Sequence, residues 1–374
     1  LKQVEDLIVH RPEGLYCPQG DFYIDPWRPV ERAVITHAHA DHARPGNLHY
    51  LAAEPGAGIL RARLGDIDLQ TLRYGESIAY SGIRLSLHPA GHVLGSAQVR
   101  VEHAGGVWVV SGDYFLTGSS DETAEDISTC APFEFVRCDC FITESTFGLP
   151  IYRWQPQREI FKAINDWWAS NASAGRASLL MGYSFGKAQR ILKGVDSSIG
   201  PILLHGAIEP INRAYREAGV VLPEVQLATE VTDKTVIDRA LVVAPPSVAG
   251  SRWTRRFGNY SDAFASGWMQ VRGARRRRSV DRGFVLSDHA DWPGLQRAIA
   301  ASGAERVIVT HGREDVLVRW LAEKGYNASS FQTDYGETEG TDALNEPAPA
   351  TEGPPKADGA NRGGSDTNTD EGKA

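Results

Sequence analysis

Apolar residues along this chain keep one rhythm up to about residue 150 and another beyond it. Between residues 33 and 148, short apolar or alternating runs are separated by glycine-rich turns, which predicts strands. Ala33-Val34-Ile35, residues 83–87, 97–101 and 107–110 are the clearest of these runs. Residues 158–170 then place Ile160, Phe161, Ile164 and Trp167 on one stripe, the spacing of an amphipathic helix. Strands at 179–183, 201–204 and 240–244 follow in alternation with helices at 188–195 and near 211–218, and Trp268-Met269-Gln270 reads as another strand. Alternating strands and helices imply a parallel α/β layer. Helix, strand and helix at 292–301, 307–309 and 316–324 complete the pattern. Trp167 and Trp168 are expected in the core.

A length of 374 residues suggests two or three domains. No run of about 18 apolar residues is present, so no membrane partner is expected. No basic stretch followed by an apolar one opens the sequence, which gives a cytoplasmic expectation. Cys17, Cys130, Cys138 and Cys140 are not spaced as CxxC, and the pair at 138 and 140 reads as reduced core thiols rather than a zinc site. The net charge of −8 is uneven. From Gly336 to Ala374 nine acidic residues face three basic ones, a net of −6 that leaves −2 for the rest. That segment, rich in Gly, Pro, Thr, Asn and Asp, has too little apolar surface to offset ordering entropy and is expected to be a disordered acidic tail.

Candidate chemistry is concentrated in Thr36-His37-Ala38-His39-Ala40-Asp41-His42, directly after an apolar run. Alternate side chains of an extended segment share a face. His37 and His39 can therefore grip one ion, and Asp41 and His42, past the turn, can reach a second. Imidazole with carboxylate suits zinc, with manganese or iron as alternatives. His92 lies in a glycine-rich loop, Asp113 just past an apolar strand, and His311 after the run Val307-Ile308-Val309. A carboxylate in the position of Asp113 can bridge two cations.

This ordered set resembles the metallo-β-lactamase fold. Phe141-Ile142-Thr143-Glu144-Ser145-Thr146-Phe147-Gly148 and Val285-Leu286-Ser287-Asp288-His289-Ala290-Asp291 look like motifs A and B of its β-CASP nuclease branch, with His311 as motif C. Narrower still is the likeness to bacterial DNA ligase-associated exonucleases, carried by Gly14-Leu15-Tyr16-Cys17 and by Gly20-Asp21-Phe22-Tyr23-Ile24-Asp25-Pro26-Trp27-Arg28-Pro29. The resemblance covers residues 1 to about 335. It implies an αββα sandwich in two parts, 1–150 and 286–335, around an inserted β-CASP α/β domain at 151–285, with the tail at 336–374. It also implies that His37, His39 and His92 hold one metal and Asp41, His42 and His311 the other, with Asp113 between them. Asp41, Glu144 and His289 are then catalytic, His289 giving a proton to the leaving oxygen while Glu144 fixes its tautomer. His311 stands where DNA-cleaving members of the Artemis type usually carry Val and RNA-processing members His, which keeps RNA open as a substrate beside DNA. A DNA ligase and a helicase are the protein partners the resemblance suggests.

The insert carries the nucleic-acid features. Arg272, Arg275, Arg276, Arg277, Arg278 and Arg282 cluster before motif B, and Arg252, Arg255 and Arg256 interleave with Trp253 and Phe257. Residues 182–190 read as strand, glycine turn and helix start, a geometry that cradles anions. Ser184, Lys187 and Arg190 are its candidate contacts, Lys187 standing where relatives usually carry Arg. Of the other histidines, His205 is a candidate for the cleft, His88 reads as structural, and His10, His49 and His103 as surface residues. Asp288 and Asp291 flank His289 either as supports or as exposed residues. The expected function is a metal-dependent phosphodiesterase, a DNA exonuclease acting with repair and ligation enzymes. The alternatives are an RNA-processing nuclease, a non-catalytic scaffold and a small-molecule hydrolase.

Overall fold

The computed structural model describes residues 6–116 and 128–334, so the tail at 336–374 lies outside the described residues. The chain begins with β1 (Val9–Arg11), β2 (Gly14–Cys17), β3 (Phe22–Ile24), β4 (Arg32–Ile35), β5 (His49–Ala53), α1 (Ala57–Leu64) and β6 (Leu69–Leu72). These strands form one sheet in sequential order, antiparallel up to β3 and parallel after it. A meander of β7 (Ser77–Tyr80), β8 (Ile83–Pro89), β9 (Ala97–His103) and β10 (Gly106–Val110) starts the second sheet, and β11 (Cys140–Ser145) pairs parallel to β10.

The chain then builds a separate layer. It runs through α2 (Gln157–Ser173), β12 (Ala177–Met181), α3 (Lys187–Gly194), β13 (Ile202–Leu204), α4 (Glu209–Glu217), β14 (Gln226–Leu227), α5 (Lys234–Ile237) and β15 (Leu241–Ala244). β16 (Tyr260–Ala265), α6 (Arg272–Arg278) and β17 (Arg282–Phe284) complete it. The strand order is β14-β13-β15-β12-β16-β17, and every pairing is parallel. Afterwards α7 (Trp292–Ser302), β18 (Arg306–Gly312), α8 (Glu314–Glu323) and β19 (Asn327–Ser330) return to the second sheet, where β18 pairs with β11.

Side-chain alternation explains the layers. In β4, Ala33 and Ile35 pack with Ile59 and Leu60 of α1, while Val34 faces the second sheet with Val99, Ile142 and Ile308. The far face of the second sheet, with Val109, Phe141, Val307 and Val309, is covered by Trp292 and Ile299 of α7 and Leu317 and Leu321 of α8. The result is the αββα sandwich of metallo-β-lactamases with an inserted α/β domain. Leu241-Val242-Val243-Ala244 is buried throughout, as befits a parallel strand covered on both faces. The insert is fused to the sandwich by apolar contact: Phe185, Ile211, Ala214 and Tyr215 join Ile35, Leu60, Val93 and Leu94 in one cluster, and the Tyr215 hydroxyl accepts the Leu94 N–H at 3.3 Å.

One local expectation is corrected. Trp268-Met269-Gln270 belongs to a 3-10 helix, Gly267–Gln270, whose start is capped by the Ser266 hydroxyl accepting from the Trp268 N–H. The strand of this region is β16, whose mixed sequence, YSDAFA, hides it. Cys138 precedes β11 and Cys140 opens it, and both are buried free thiols.

Candidate metal centre

Strand ends supply every member of the candidate site. Residues 36–42 follow β4, His92 follows β8, Asp113 follows β10, Glu144 ends β11, His289 follows β17, and His311 ends β18. Crowding at these ends requires glycine. Gly112 has φ +56, and a Cβ there would lie 2.7 Å from the Thr36 side chain. Between the two histidines at 37 and 39, the Ala38 carbonyl accepts a hydrogen bond from Arg63 of α1, which holds the loop down.

Asp113 is the hub. Its Oδ2 lies 3.5 Å from His37 Nε2, 3.4 Å from His42 Nε2 and 3.9 Å from His92 Nε2, while its Oδ1 lies 3.0 Å from His311 Nε2. Donor atoms of His37, His39, His92 and Asp113 all fall within 4.8 Å of one another, as do those of His42, Asp113 and His311. Ligands about 2.0–2.2 Å from a shared tetrahedral cation are themselves separated by about 3.4 Å. Asp41 approaches from the side, its Oδ2 3.4 Å from His42 Nε2.

Each imidazole has its tautomer set from behind. His37 Nδ1 faces the Thr36 hydroxyl at 3.1 Å, which itself donates to Asp25, and His311 Nδ1 faces the Thr310 hydroxyl at 3.0 Å, which donates to the Thr143 carbonyl. His92 Nδ1 donates to the Asp288 carbonyl at 2.7 Å, and His42 Nδ1 to Asp25 at 2.7 Å. All four thus turn Nε2 inward; on His42, burial opposes the charged ring, but Asp41, Asp113 and Asp25 outweigh it and hold the imidazole well above its ordinary pKa, so a cation at this end would take the place of a proton. His39 is reversed: its Nε2 donates to the Phe185 carbonyl at 3.3 Å, and its Nδ1 sits 3.1 Å from His92 Nε2. Such outer partners orient metal-binding histidines.

The electrostatics match cations. Burial holds His37 well below its ordinary pKa and lowers His39 to about 3 and His92 to about 4, so these rings are neutral donors at pH 7. Burial works against the charge of Asp113, but the neighbouring His42 and His289 outweigh it and keep the carboxyl well below its usual range. Among the described residues, His37 Nε2 and both carboxylate oxygens of Asp41 are buried without a hydrogen-bond partner. Buried polar atoms of that kind are rare unless a ligand completes them. The donor set fits two divalent cations.

Beside this cluster, His289 Nδ1 donates to Glu144, at 2.9 Å to Oε2 and 3.2 Å to Oε1. Glu144 is held in turn by the Thr146 hydroxyl at 2.6 Å and the Tyr114 N–H at 2.7 Å. Burial opposes a charged His289, but Glu144 and Asp113 outweigh it and push the imidazole up to about 10. Two residues without an assigned role in the sequence reading belong to this machinery. Asp25, with φ +44, orients His42 and anchors Thr36; its signal was the turn sequence Asp-Pro-Trp between β3 and the strand that leads into the histidines. Trp154 donates its indole N–H to the His289 carbonyl at 2.8 Å and its backbone N–H to Asp291 at 2.9 Å.

The candidate nucleic-acid residues separate. Lys187 is fully buried, and its ammonium donates to Asp288 at 2.7 Å and to the Leu286 carbonyl at 2.9 Å. Arg190 is buried on the Phe115 ring, 4.6 Å from its centroid, and bonds the carbonyls of His92 and Ser287. Both are therefore struts between the insert and the metal loops, their charge spent inside the protein. The Gly186 N–H that would greet an anion donates instead to Gln189 Oε1 at 2.8 Å. Ser184 is buried with its hydroxyl lacking a hydrogen-bond partner among the described residues. Arg272 and Arg276 are exposed, Arg278 lies 4.4 Å over the Phe264 ring, and the side chains of Arg275 and Arg277 lie outside those described. His88 bonds Ser86 and Glu134, and His205 packs on Trp253; neither joins the cluster.

Over 327 residues, 86% of this chain, the sequence is 31% identical to a protein of Opitutus terrae named "Probable DNA ligase". The alignment takes in 31% of that relative, so the chain spans about a third of its length. "Endoribonuclease ysh-1" of Neurospora crassa is 33% identical over 134 residues, 35% of this chain and 15% of its own. "Transcription termination factor FttA" of Methanococcus maripaludis is 26% identical over 234 residues, 50% of this chain and 35% of its own. The chain is a relative of the metallo-β-lactamase/β-CASP nucleases. A crystal structure of a protein of unknown function from Enterococcus faecalis shares the fold, with a TM-score of 0.55 at 15% identity over 82% of this chain and 80% of that one. No protein-family model matches the chain. Among the described residues of this β-CASP relative, no helix is long and apolar enough to cross a membrane.

Proposed function

We infer that the protein is a metal-dependent phosphodiesterase, and specifically a DNA exonuclease that works beside a DNA ligase in repair. The observation that carries this reading is the convergence of His37, His42, His92 and His311 on the one buried carboxylate of Asp113, next to the Glu144–His289 pair. The DNA assignment is supported by the ligase name of the long relative in which a homologous segment is embedded. The catalytic sandwich is assigned to 1–150 and 286–335 and the β-CASP domain to 151–285.

His37, His39 and His92 would hold one cation and Asp41, His42 and His311 the other, with Asp113 shared. Two divalent cations, zinc by the imidazole-rich donor set or manganese as the alternative, supply when bound the Lewis acidity and activated water for attack on phosphorus. Asp41, with both oxygens free of protein hydrogen bonds, is placed to accept from the attacking water. His289 donates its Nδ1–H to Glu144 and would present a protonated Nε2 to the departing sugar oxygen as general acid. Lys187 and Arg190 keep the insert seated so that a strand between the domains meets both sets of groups.

An RNA substrate is the second reading, favoured by His311 and by the endoribonuclease names of shorter-matching relatives. Metal analysis followed by time courses on end-labelled single-stranded DNA, duplex DNA and matched RNA decides between them. Stepwise release of nucleotides from DNA is expected, with close to two metal ions per chain and loss of both metal and activity in Asp113→Ala. Full activity in that variant or in chelated protein refutes the two-metal reading.

A further inference from the structure

All strands of the insert are parallel, so the segments that leave their carboxyl ends gather on one edge of its sheet. The loop after β12 carries Phe185 onto that edge and touches His39 of the metal cluster. Two strands away, β13 ends at Leu204 and is followed by His205. Strand spacing puts His205 roughly 10 Å from the β12 loop along the edge.

His205 opens a small aromatic and cationic patch. Its ring meets Trp253 edge-on at 4.7 Å, and Trp253 meets the fully buried Phe257 at 5.0 Å. Trp253 is half-buried and pinned on both sides, so it presents an aromatic surface with little rotamer freedom left to lose. Arg256 lies 5.7 Å from the Trp253 ring centroid and is tied to the Ala228 carbonyl at 3.0 Å. Arg252, Arg255 and Arg256 are exposed, and none pairs with a carboxylate among the described residues, unlike Arg216 with Glu209 or Arg306 with Asp6. A fixed, half-buried indole beside guanidinium groups that pair with no carboxylate among the described residues matches an unpaired base with its phosphates.

We propose that Trp253, His205 and Arg252, Arg255 and Arg256 form a stacking platform for single-stranded nucleic acid, engaging bases several nucleotides from the one being cleaved. The proposal rests on the nuclease reading. Trp253 holds the base plane, and the arginines hold the backbone on either side. Stacking ignores the sugar, so DNA and RNA strands are both ligands of this surface.

The test is steady-state cleavage by the metal-loaded full chain on single strands from 2 to 20 nucleotides, as DNA and as matched RNA. Trp253→Ala is expected to raise KM on 20-mers about 5- to 150-fold, the range seen for losing one stacking residue, with kcat unchanged. Trp253→Phe should retain most of the parent KM. On dinucleotides, which cannot reach the platform, parent and Trp253→Ala should be equal. Arg255→Ala should flatten the salt dependence of KM on 20-mers by about 0.7 in log–log slope. An unchanged KM on 20-mers, or an equal loss on dinucleotides, overturns the platform while the nuclease reading stands. A parent that cleaves no strand of any length overturns the nuclease reading first, and the platform with it.

Discussion

Replacing Lys187 by Met tests whether a residue that the motif pattern assigns to nucleic acid is instead a strut of the metal site. The ammonium is fully buried, and Asp288, its partner at 2.7 Å, is 6% exposed. Burial opposes the charge of Asp288, yet Lys187 outweighs it and keeps the carboxyl well below its usual range. Removing one partner of such a pair leaves an uncompensated buried charge and costs about 3–5 kcal/mol. That corresponds to roughly a hundred- to several-thousand-fold fall in the folding constant, and to a drop of about 1–2 M in the urea midpoint of the metal-free protein. The damage should reach the metal, because the Asp288 backbone carbonyl fixes His92 Nδ1. Loosening such a partner typically costs 10- to 100-fold in metal affinity. The double variant Lys187→Met with Asp288→Asn removes both charges, keeps that carbonyl, and should recover much of the lost stability and metal affinity. Denaturation of the metal-free protein and metal competition with a chromophoric chelator measure the two effects. If Lys187→Met unfolds at the parent midpoint and binds metal normally, but shows a salt slope for strand binding reduced by about 0.7, the strut is wrong and Lys187 holds phosphate.

Four further outcomes are expected. Asp25→Asn should weaken metal binding about 10- to 100-fold with little change in fold, since an amide oxygen can still accept from His42 but carries no charge; metal titration checks it. His289→Ala should keep its metal and lose about 10²–10⁴ in turnover, and should regain much of the loss on a substrate with sulfur at the bridging leaving position, which needs no proton; equal impairment on both substrates would remove the general-acid role. Trp154→Phe keeps the ring that packs on Phe147 at 4.8 Å but loses the bond to the His289 carbonyl, so kcat should fall while KM and metal content stay constant. Burial raises the thiol pKa of Cys17 to about 11 and of Cys138 and Cys140 to about 12. Their contribution to stability is therefore complete below pH 9 and is lost as pH rises towards 11–12, which a series of urea midpoints measures, and all three should resist alkylation at pH 8 until the protein unfolds.

The layers of the fold were legible wherever burial imposed a period. The runs at 33–35, 83–87, 97–101 and 107–110 lie inside β4, β8, β9 and β10, and α2 declared itself by Ile160, Phe161, Ile164 and Trp167. Other elements left no such trace. α1 packs against α4 through Gly58 and Ala214, whose Cβ would stand 3.4 Å from a Cβ at Gly58, so a close approach replaces the usual apolar stripe. β16 carries Ser261 and Asp262 because those side chains bond Asp281 and its backbone N–H at the sheet margin. β1 and β3 are three residues each, too short for any periodicity to accumulate.

For the site the division is chemical. Motif spacing identifies donors, because a residue must be His or Asp to bind a metal, but it does not say which nitrogen binds. That choice is made by groups with no fixed identity: a threonine hydroxyl behind His37 and His311, a backbone carbonyl behind His92 and His39, a carboxylate behind His42. Backbone carbonyls exist at every residue, so the partners of His92 and His39 are invisible in sequence and are supplied by the insert and the segment that leaves it. Phe185 and Asp288 reach the site only when the insert is seated, and Lys187 and Arg190 seat it. Two basic residues in a glycine turn therefore have two chemical uses, binding an external phosphate or neutralising an internal carboxylate and capping carbonyls. Sequence alone does not distinguish them. Burial does: a cation that is fully enclosed and bonded to both Asp288 and the Leu286 carbonyl cannot reach a strand without leaving the segment whose Asp288 carbonyl orients His92.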